Sequence, residues 1–277
     1  MSTLLRLSDG SSTRWVVRRD GVDAELDLSL AELLRLPVTD ARARIDAAVP
    51  GATAGDAAVL APVDRQEVWA AGVTYLRSRD GRSEESGHGD MYQRVYDADR
   101  PEIFFKSVPE RVVPDGAAVG VRTDSGWDVP EPEVGLVLNC YGELVGYVPG
   151  NDMSSRSIEG ENPLYLPQAK MYERSCALGP GIVPAWEVGE PLPVSLRIER
   201  DGAAVFEGTT STASMKRSFG ELADWLFRAM DFPDGAVLLT GTGLVPGAEF
   251  TLRADDVVVV DVIGVGTLHN PVAVVGR

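Results

Sequence analysis

The chain has 277 residues, enough for one large domain, or one large and one small, around a sizeable core. Its formal net charge of −16 repels nucleic acid and anionic membrane surfaces, so neither is an expected partner. Hydrophobic residues make up 44%, against a mostly disordered chain, and the two cysteines, Cys140 and Cys176, lie outside any CxxC pattern, so a disulfide framework is not expected and a reducing cytoplasm is. The N-terminal run has no long apolar stretch of the kind that leads a secreted chain, and no segment has the length of a membrane span.

Residues 1–60 read as a small α+β domain. Trp15–Gly21 reads as a strand running into a turn. Leu30–Leu36 reads as a short helix capped by Ser29 and stopped by Pro37, and Asp40–Ala48 as a second. Residues 50–58 read as a linker. From residue 61 the texture changes to strands and glycine turns, with 29 glycines and 18 prolines spread through the chain. Glu67–Val73 reads as a buried strand. The polar stretch 77–100 reads as a surface helix with loops or a mobile lid. Ile103–Phe105 is a short strand, and Val134–Leu138 and Leu144–Val148 flank a hairpin turn at Tyr141-Gly142-Glu143. Phe219, Leu222, Leu226 and Met230 recur at helical spacing, with Ser214 or Ser218 as the cap and Pro233 past the end. Val237–Leu239, Phe250–Leu252 and Val257–Val262 read as strands. The expected class is α+β, mainly β, with 61–277 as the second domain.

The chemistry concentrates at Val129-Pro130-Glu131-Pro132-Glu133-Val134-Gly135. The prolines favour extended backbone, and residues i and i+2 of a strand share a face, so Glu131 and Glu133 project side by side. Two adjacent carboxylates repel unless one is protonated or a cation lies between them. The hairpin returns near its start at Asp152. Three carboxylates without His or Cys suit a hard cation with oxygen ligands, Mg²⁺ first and Mn²⁺ or Ca²⁺ as alternatives.

The stretch Asp152–Tyr172, containing IEGENPLYLPQAK, resembles the fumarylacetoacetate hydrolase family. The resemblance continues through Thr240-Gly241-Thr242-Gly243 and the closing strands Val257–Val262 and Gly264–Asn270, and covers roughly residues 65–272. It implies a rolled, mixed β-sheet catalytic domain. It implies Glu131, Glu133 and Asp152 as metal ligands, Lys170 as the lysine near the metal, and Thr242 as a contact to the substrate carboxylate. Arg156 and Glu159 match positions around the ligands, with Arg156 in reach of substrate.

One departure narrows the activity. The family's carbon–carbon hydrolases carry a His, and a Glu three residues on, shortly after a GxNY-like strand end. Here that end is Gly72-Val73-Thr74-Tyr75, and the matching positions fall near Ser78 and Gly81. His88 reads as solvated and His269 as structural. GVTYLRSRD, RPEIFFK and IEGENPLYLPQAK look most like the family's 2-keto-3-deoxy-sugar-acid dehydratases. The activity implied is Mg²⁺-dependent dehydration of 2-keto-3-deoxy-D-arabinonate, also the D-xylonate-derived keto acid, to 2,5-dioxopentanoate through an enolate. Lys170, Glu102 and Glu161 are the candidates for proton transfer. Lys106, Arg77 and Arg79 are candidate substrate contacts, with Glu85 in the same polar stretch. The alternatives are an acylpyruvate or diketo-acid hydrolase, an oxaloacetate-type decarboxylase, and, from another class, a protein that binds metal and keto acid without turnover. The resemblance also implies a homodimer or homotetramer.

Overall fold

The computed structural model describes residues 1–50, 57–76 and 89–277. The chain opens with β1 (Ser2–Ser8), β2 (Thr13–Arg19), β3 (Val22–Leu26), α1 (Leu30–Leu34), α2 (Val38–Asp46) and β4 (Ala58–Leu60). It continues through β5 (Glu67–Gly72), α3 (Gly89–Asp97), β6 (Glu102–Ser107), β7 (Val119–Arg122), β8 (Asp128–Val129), β9 (Pro132–Leu138), β10 (Leu144–Asp152) and β11 (Ser154–Ser155). Then come α4 (Arg156–Glu161), α5 (Leu166–Lys170), β12 (Cys176–Leu178), β13 (Val183–Pro184), β14 (Pro193–Arg200), β15 (Ala203–Ser211), α6 (Phe219–Phe227), β16 (Ala236–Leu239), β17 (Val257–Val262) and β18 (Gly266–Val275). The architecture is mainly β with curled sheets.

The first four strands form one sheet in the order β3-β2-β1-β4. Its helix α1 starts where the sequence places it. Ser29 accepts from Glu32 N at 3.2 Å, and the Glu32 carboxylate accepts from Ser29 N at 2.8 Å, a reciprocal capping box. This sheet shares its core with the rest of the chain: Leu4, Trp15 and Val17 lie in one apolar cluster with Val68, Val137, Leu178 and Val237. Backbone bonds join Leu4 and Ile182 in both directions, at 2.7 and 3.0 Å.

The central sheet has the order β12-β10-β9-β16-β5-β6, with β13 alongside β10. The β9–β10 hairpin turns where expected, on Asn139, whose side-chain oxygen accepts from Tyr141 N and Glu143 N, and on Gly142 at φ 76°. The two strands run from Pro132 and to Asp152, so the hairpin's open end lies at the carboxylates as expected. The sheet curls strongly because its glycines let neighbours approach. A Cβ on Gly135 would lie 2.7 Å from Val148, on Gly146 2.5 Å from Ile182, and on Gly150 2.4 Å from Leu239. The roll closes on itself: Val113, beyond β6, donates to Cys176 O of β12 and accepts from Leu178 N. Its outer face packs on α6 through Leu222 and Leu226. A second sheet, β15-β14-β17-β18-β7, completes the fold.

Two sequence expectations differ in detail. Ser218, not Ser214, caps α6, and the helix stops at Phe227, which leaves Met230 exposed. Phe250–Leu252 is apolar but is not a strand. Leu252 N donates to Asp128 O, and Thr251 Oγ1 accepts from Asp128 N, so the run is tied crosswise to β8 instead of forming a ladder. Within 77–100, a helix occupies Gly89–Asp97 and β6 begins at Glu102, while residues 77–88 lie outside the described residues.

β8 pairs with β11 and sets the chain into α4. Burial raises the Asp128 carboxyl to about 6, against a weaker opposing hydrogen bond from Ser125. A folded-state value above the unfolded one means that the native state binds the extra proton. Stability contributed by Asp128 is therefore full below about pH 4 and is lost as the pH rises through 6. Asp128→Asn is expected to stabilise the protein at pH 8 by on the order of 1–2 kcal/mol, and to give no gain at pH 4. Urea denaturation at the two pH values checks this.

Candidate active site

The topology gathers the site at one rim of the rolled sheet. β10, β16 and β5 end there, and β9 and β6 begin there, because β16 runs parallel to β5 and antiparallel to β9. Glu131 and Glu133 enter from the start of β9, Asp152 from the end of β10, Gly241 and Thr242 from the turn after β16, and Gly72 and Val73 from the end of β5. Glu102, Phe104 and Lys106 alternate along β6.

Glu131, Glu133 and Asp152 are buried, and each offers an oxygen within 4.8 Å of the others'. Cations surround them. Lys170 Nζ lies 2.9 Å from Glu131 Oε2 and 2.9 Å from Asp152 Oδ2, and donates to Ser154 Oγ at 2.5 Å. Arg156 Nη2 lies 2.9 Å from Glu131 Oε1, and its Nη1 lies 3.3 Å from Glu159 Oε2. Lys106 contacts Asp152 and donates to Met153 O at 3.0 Å and Lys170 O at 2.5 Å. Glu133 accepts from Gly241 N at 2.6 Å. Burial, then the charges of Asp152 and Glu131, push the Glu133 carboxyl well above the usual carboxylate range, with Lys170 and Gly241 opposing.

A narrow cleft opens on this cluster, lined by Glu131, Asp152, Arg156, Lys170 and Thr242 together with Ala71, Gly72, Val73, Phe104 and Gly241. The donor set fits a hard cation: three converging carboxylates, no nitrogen or sulfur donor, and neighbours that orient them through Ser154 Oγ at 3.1 Å from Glu131 and through Gly241 N.

The predicted residues divide by position. Glu131, Glu133, Asp152, Lys170, Arg156, Thr242 and Glu159 are all buried, and the structure brings them together as one cluster with its cleft. Glu102 is not itself in the cleft lining but lies beside Gly72, which is: a Cβ on Gly72 would lie 2.0 Å from its Oε2. Lys106 is buried behind the cleft, and its ammonium is directed at Asp152 and two carbonyls, which suits support of the cluster better than a substrate contact. Glu161, at the end of α4, is exposed and does not join the cluster; a six-residue helix turns its last side chain to solvent. Arg77, Arg79, Glu85 and His88, with Ser78 and Gly81, lie outside the described residues. His269 is half-exposed beside Asp115 at 3.4 Å.

The sequence reading missed Ser154, Phe104 and Val73. Ser154 and Phe104 were within reach of the alternation rule, since Asp152, Ser154 and Arg156, like Glu102, Phe104 and Lys106, are spaced by two. Val73 carried no signal. It adopts φ 53°, a left-handed conformation costly for a β-branched residue, and lines the cleft.

The sequence profile of the fumarylacetoacetate (FAA) hydrolase C-terminal region matches residues 67–273. The chain belongs to the fumarylacetoacetate hydrolase family. Among curated relatives, it is 55% identical over 216 residues to a probable 2-keto-3-deoxyxylonate dehydratase of Haloferax volcanii, covering 77% of this chain and 74% of that one. It is 44% identical over 223 residues to the 2-dehydro-3-deoxy-D-arabinonate dehydratase of Saccharolobus solfataricus, covering 78% and 75%. Among solved structures, it resembles a 2-keto-3-deoxy-D-arabinonate dehydratase complexed with magnesium and 2,5-dioxopentanoate, with a TM-score of 0.88 and 33% identity over 99% of this chain and 100% of that one.

Lys170 compensates two buried carboxylates at once. Lys170→Met is expected to cost about 3–5 kcal/mol of stability in the presence of a chelator, the penalty for unpairing buried charges. A divalent cation that enters the triad supplies the missing charge, so millimolar Mg²⁺ is expected to restore much of the loss. Thermal melts of the variant with EDTA and with Mg²⁺ check it; equal melting temperatures in both would show that the triad takes no cation.

Proposed function

We propose that the protein is a Mg²⁺-dependent hydro-lyase that converts 2-keto-3-deoxy-D-arabinonate, the keto acid also derived from D-xylonate, to 2,5-dioxopentanoate. The observation that carries this reading is the buried Glu131–Glu133–Asp152 set with Lys170 between two of its members, at a cleft, in a chain so close to named dehydratases. Glu131, Glu133 and Asp152 would hold the cation, with Mn²⁺ and Ca²⁺ as alternatives of the same ligand class. When bound, it supplies Lewis-acid polarisation of the keto oxygen, which acidifies the C3 hydrogens.

The chain's own groups do the rest. Thr242, on the cleft wall with Lys170, binds the substrate carboxylate together with the Gly241–Thr242 backbone. Arg156 holds Glu131 in place and adds positive potential for an anionic substrate, which matters in a protein of net charge −16. Glu159 in turn fixes Arg156. Glu102 takes the C3 proton and returns it to the departing C4 hydroxyl, which leaves as water. Lys170 keeps the cleft's negative charge compensated and is the second proton-transfer group. A proton shift from C5 to C3, and tautomerisation of the resulting C4=C5 enol, place the aldehyde at C5. The net change is loss of one water, with no redox partner. Glu161, being exposed, is given no part.

The same reading takes residues 1–60 as a small N-terminal domain and 61–277 as the catalytic domain, supported by a first sheet built wholly from residues 2–60. It takes the enzyme as a cytoplasmic homodimer or homotetramer. Free Cys140 and Cys176 agree with a reducing compartment, and no helix among the described residues is long and apolar enough to cross a membrane.

Turnover of 2-keto-3-deoxy-D-arabinonate with and without Mg²⁺, in wild type and Glu131→Gln, tests the proposal. Mg²⁺-dependent 2,5-dioxopentanoate, reduced at least a hundredfold in the variant, is expected on the order of what electrostatic preorganisation contributes. Mg²⁺-dependent cleavage of an acylpyruvate without that aldehyde would move the protein to the hydrolases; mutually dependent binding of Mg²⁺ and keto acid with no product would make it a binding protein. Gly72→Ala is a second test. Its Cβ meets only the end of the flexible Glu102 side chain, so melting is expected within a few degrees of wild type, on the order of a 1 kcal/mol change. Turnover is expected to fall roughly a hundredfold as Glu102 is displaced.

A further inference from the structure

The segment between β15 and α6 touches neither the carboxylates nor the cleft, yet it ties both strands that form the cleft's far wall. At the exit of β5, Met215 bridges Tyr75, and Lys216 N donates to Thr74 O at 2.9 Å. At the entry to β6, the Arg217 guanidinium donates to Ala98 O at 2.6 Å and to Asp99 O at 3.0 Å. These carbonyls follow the C-terminus of α3, where a cation complements the helix dipole. Lys216 adds a contact to Tyr96 O and stacks its ammonium over the Tyr96 ring at 4.7 Å. Arg217 is 5% exposed, and Glu221, one turn into α6, accepts from it at 2.5 Å. Three consecutive residues thus hold Thr74–Tyr75 and Ala98–Asp99 to the first turn of α6, which is itself fixed by the Ser218 cap and by Leu222 in the core.

The tie points lie close to the groups that matter. Thr74 is two residues past Gly72, and Asp99 is three residues before Glu102. Glu102 lies against Gly72, its cross-strand partner, so the relative placement of the two strand ends bears on where its carboxylate lies. A neutral side chain at 217 would take the guanidinium away from the Ala98 and Asp99 carbonyls and from the Glu221 carboxylate, and would release the β6 entry from α6. The planar guanidinium serves two carbonyls and a carboxylate at once, a fork that an ammonium does not reproduce.

We propose that Arg217 is a positioning residue for Glu102, holding the entry of β6 so that the Glu102 carboxylate stands against Gly72, a residue of the cleft lining. The proposal rests on the reading of Glu102 as a proton-transfer group. It assigns Arg217 no contact with substrate and none with the carboxylate triad, whose backbone belongs to the β9–β10 hairpin.

The test combines a double-mutant cycle with a readout that needs no turnover. Wild type, Arg217→Ala, Arg217→Lys, Glu102→Gln and Arg217→Ala/Glu102→Gln are assayed for kcat and KM on 2-keto-3-deoxy-D-arabinonate. Mg²⁺ affinity and backbone amide exchange are measured on the same proteins. Arg217→Ala is expected to lower kcat about a hundredfold, with KM and Mg²⁺ affinity within about threefold of wild type. The double variant is expected to be no slower than Glu102→Gln alone, since the two residues act as one unit. Added guanidinium is expected to recover part of the lost kcat in Arg217→Ala but none in the double variant. Amides 100–104 are expected to exchange faster in Arg217→Ala while those of β9 and β10 do not. Arg217→Lys, which keeps one donor, is expected to be intermediate and covers the case in which the alanine variant fails to fold. Fully additive losses, or unchanged exchange at 100–104, would overturn the proposal. Full activity in Glu102→Gln would instead remove the assignment of Glu102 on which it rests.

Discussion

Repulsion among buried carboxylates organises this structure. Glu131, Glu133, Asp152 and Glu159 are each 3% exposed or less, and three cations, Lys106, Arg156 and Lys170, face them. Among the described residues four acids stand against three bases, a negative excess of one when all are ionised, and burial, then the charges of Asp152 and Glu131, raises the Glu133 carboxyl. Buried charge is tolerated only when paired and hydrogen-bonded, so every element that supplies a member is bound to the others. The acids come from β9, β10 and α4, the cations from β6, α4 and α5. Helices α4 and α5, of 6 and 5 residues, are too short to persist on propensity alone. Arg156 at the first residue of α4 and Lys170 at the last of α5 anchor them to the cluster. A dication entering between the acids would replace the negative excess with a positive one, which is what an anionic keto acid needs in a protein of this net charge.

The cluster depends in turn on strand direction. Antiparallel β9 and β10 put Glu131 opposite Asp152, and Asp152 N donates to Glu131 O at 3.0 Å. The parallel pair β5 and β16 brings two strand ends to the same level, and both finish in left-handed residues, Val73 at φ 53° and Gly241 at φ 86°. At Gly241 a side chain is excluded twice, by its φ and by Thr74 Oγ1, which a Cβ would approach to 2.1 Å. The two turns interlock, since Thr74 Oγ1 donates to Thr240 O at 2.6 Å. The Gly241 amide that reaches Glu133 is thus fixed by β5 as much as by its own strand.

Much of this was legible because strand periodicity is a strict rule. Glu131 and Glu133 were readable as neighbours from spacing and prolines alone, and the hairpin signal at Tyr141-Gly142-Glu143 brought Asp152 to them. The same rule carried further would have placed Ser154 and Arg156 beside Asp152. Long-range closure was not legible. Nothing local to Lys106 says that the sheet rolls until β6 faces β10, so a residue that supports Asp152 read as a substrate contact. Nor does the spacing around Glu161 reveal which side of a short helix is covered. Phe250–Leu252 failed for the related reason that an apolar run says a segment is covered and not how its backbone is bonded. The left-handed Val73 was invisible because tertiary packing, not residue preference, imposes it.

The two walls of the cleft are held by different means. On one side the carboxylates sit on the β9–β10 hairpin, which carries its own turn, its own ladder and the buried ion pairs. Their backbone placement is set by the hairpin, and Lys106, Arg156, Lys170 and Gly241 N orient the side chains. On the other side Val73 and Glu102 sit at strand ends whose continuations leave the sheet, and those continuations are tied to Met215–Arg217, the segment that leads into α6. Backbone strain at Val73 adds to the demand on those contacts, since a residue costing about 1–3 kcal/mol in its conformation persists only when its surroundings over-determine it. The cation-binding wall is therefore the rigid reference of the site. On the proposed reading, the wall that carries Glu102 is adjustable through residues remote from the chemistry, and substrate preference can shift there without disturbing the charge balance on which the fold of the site depends.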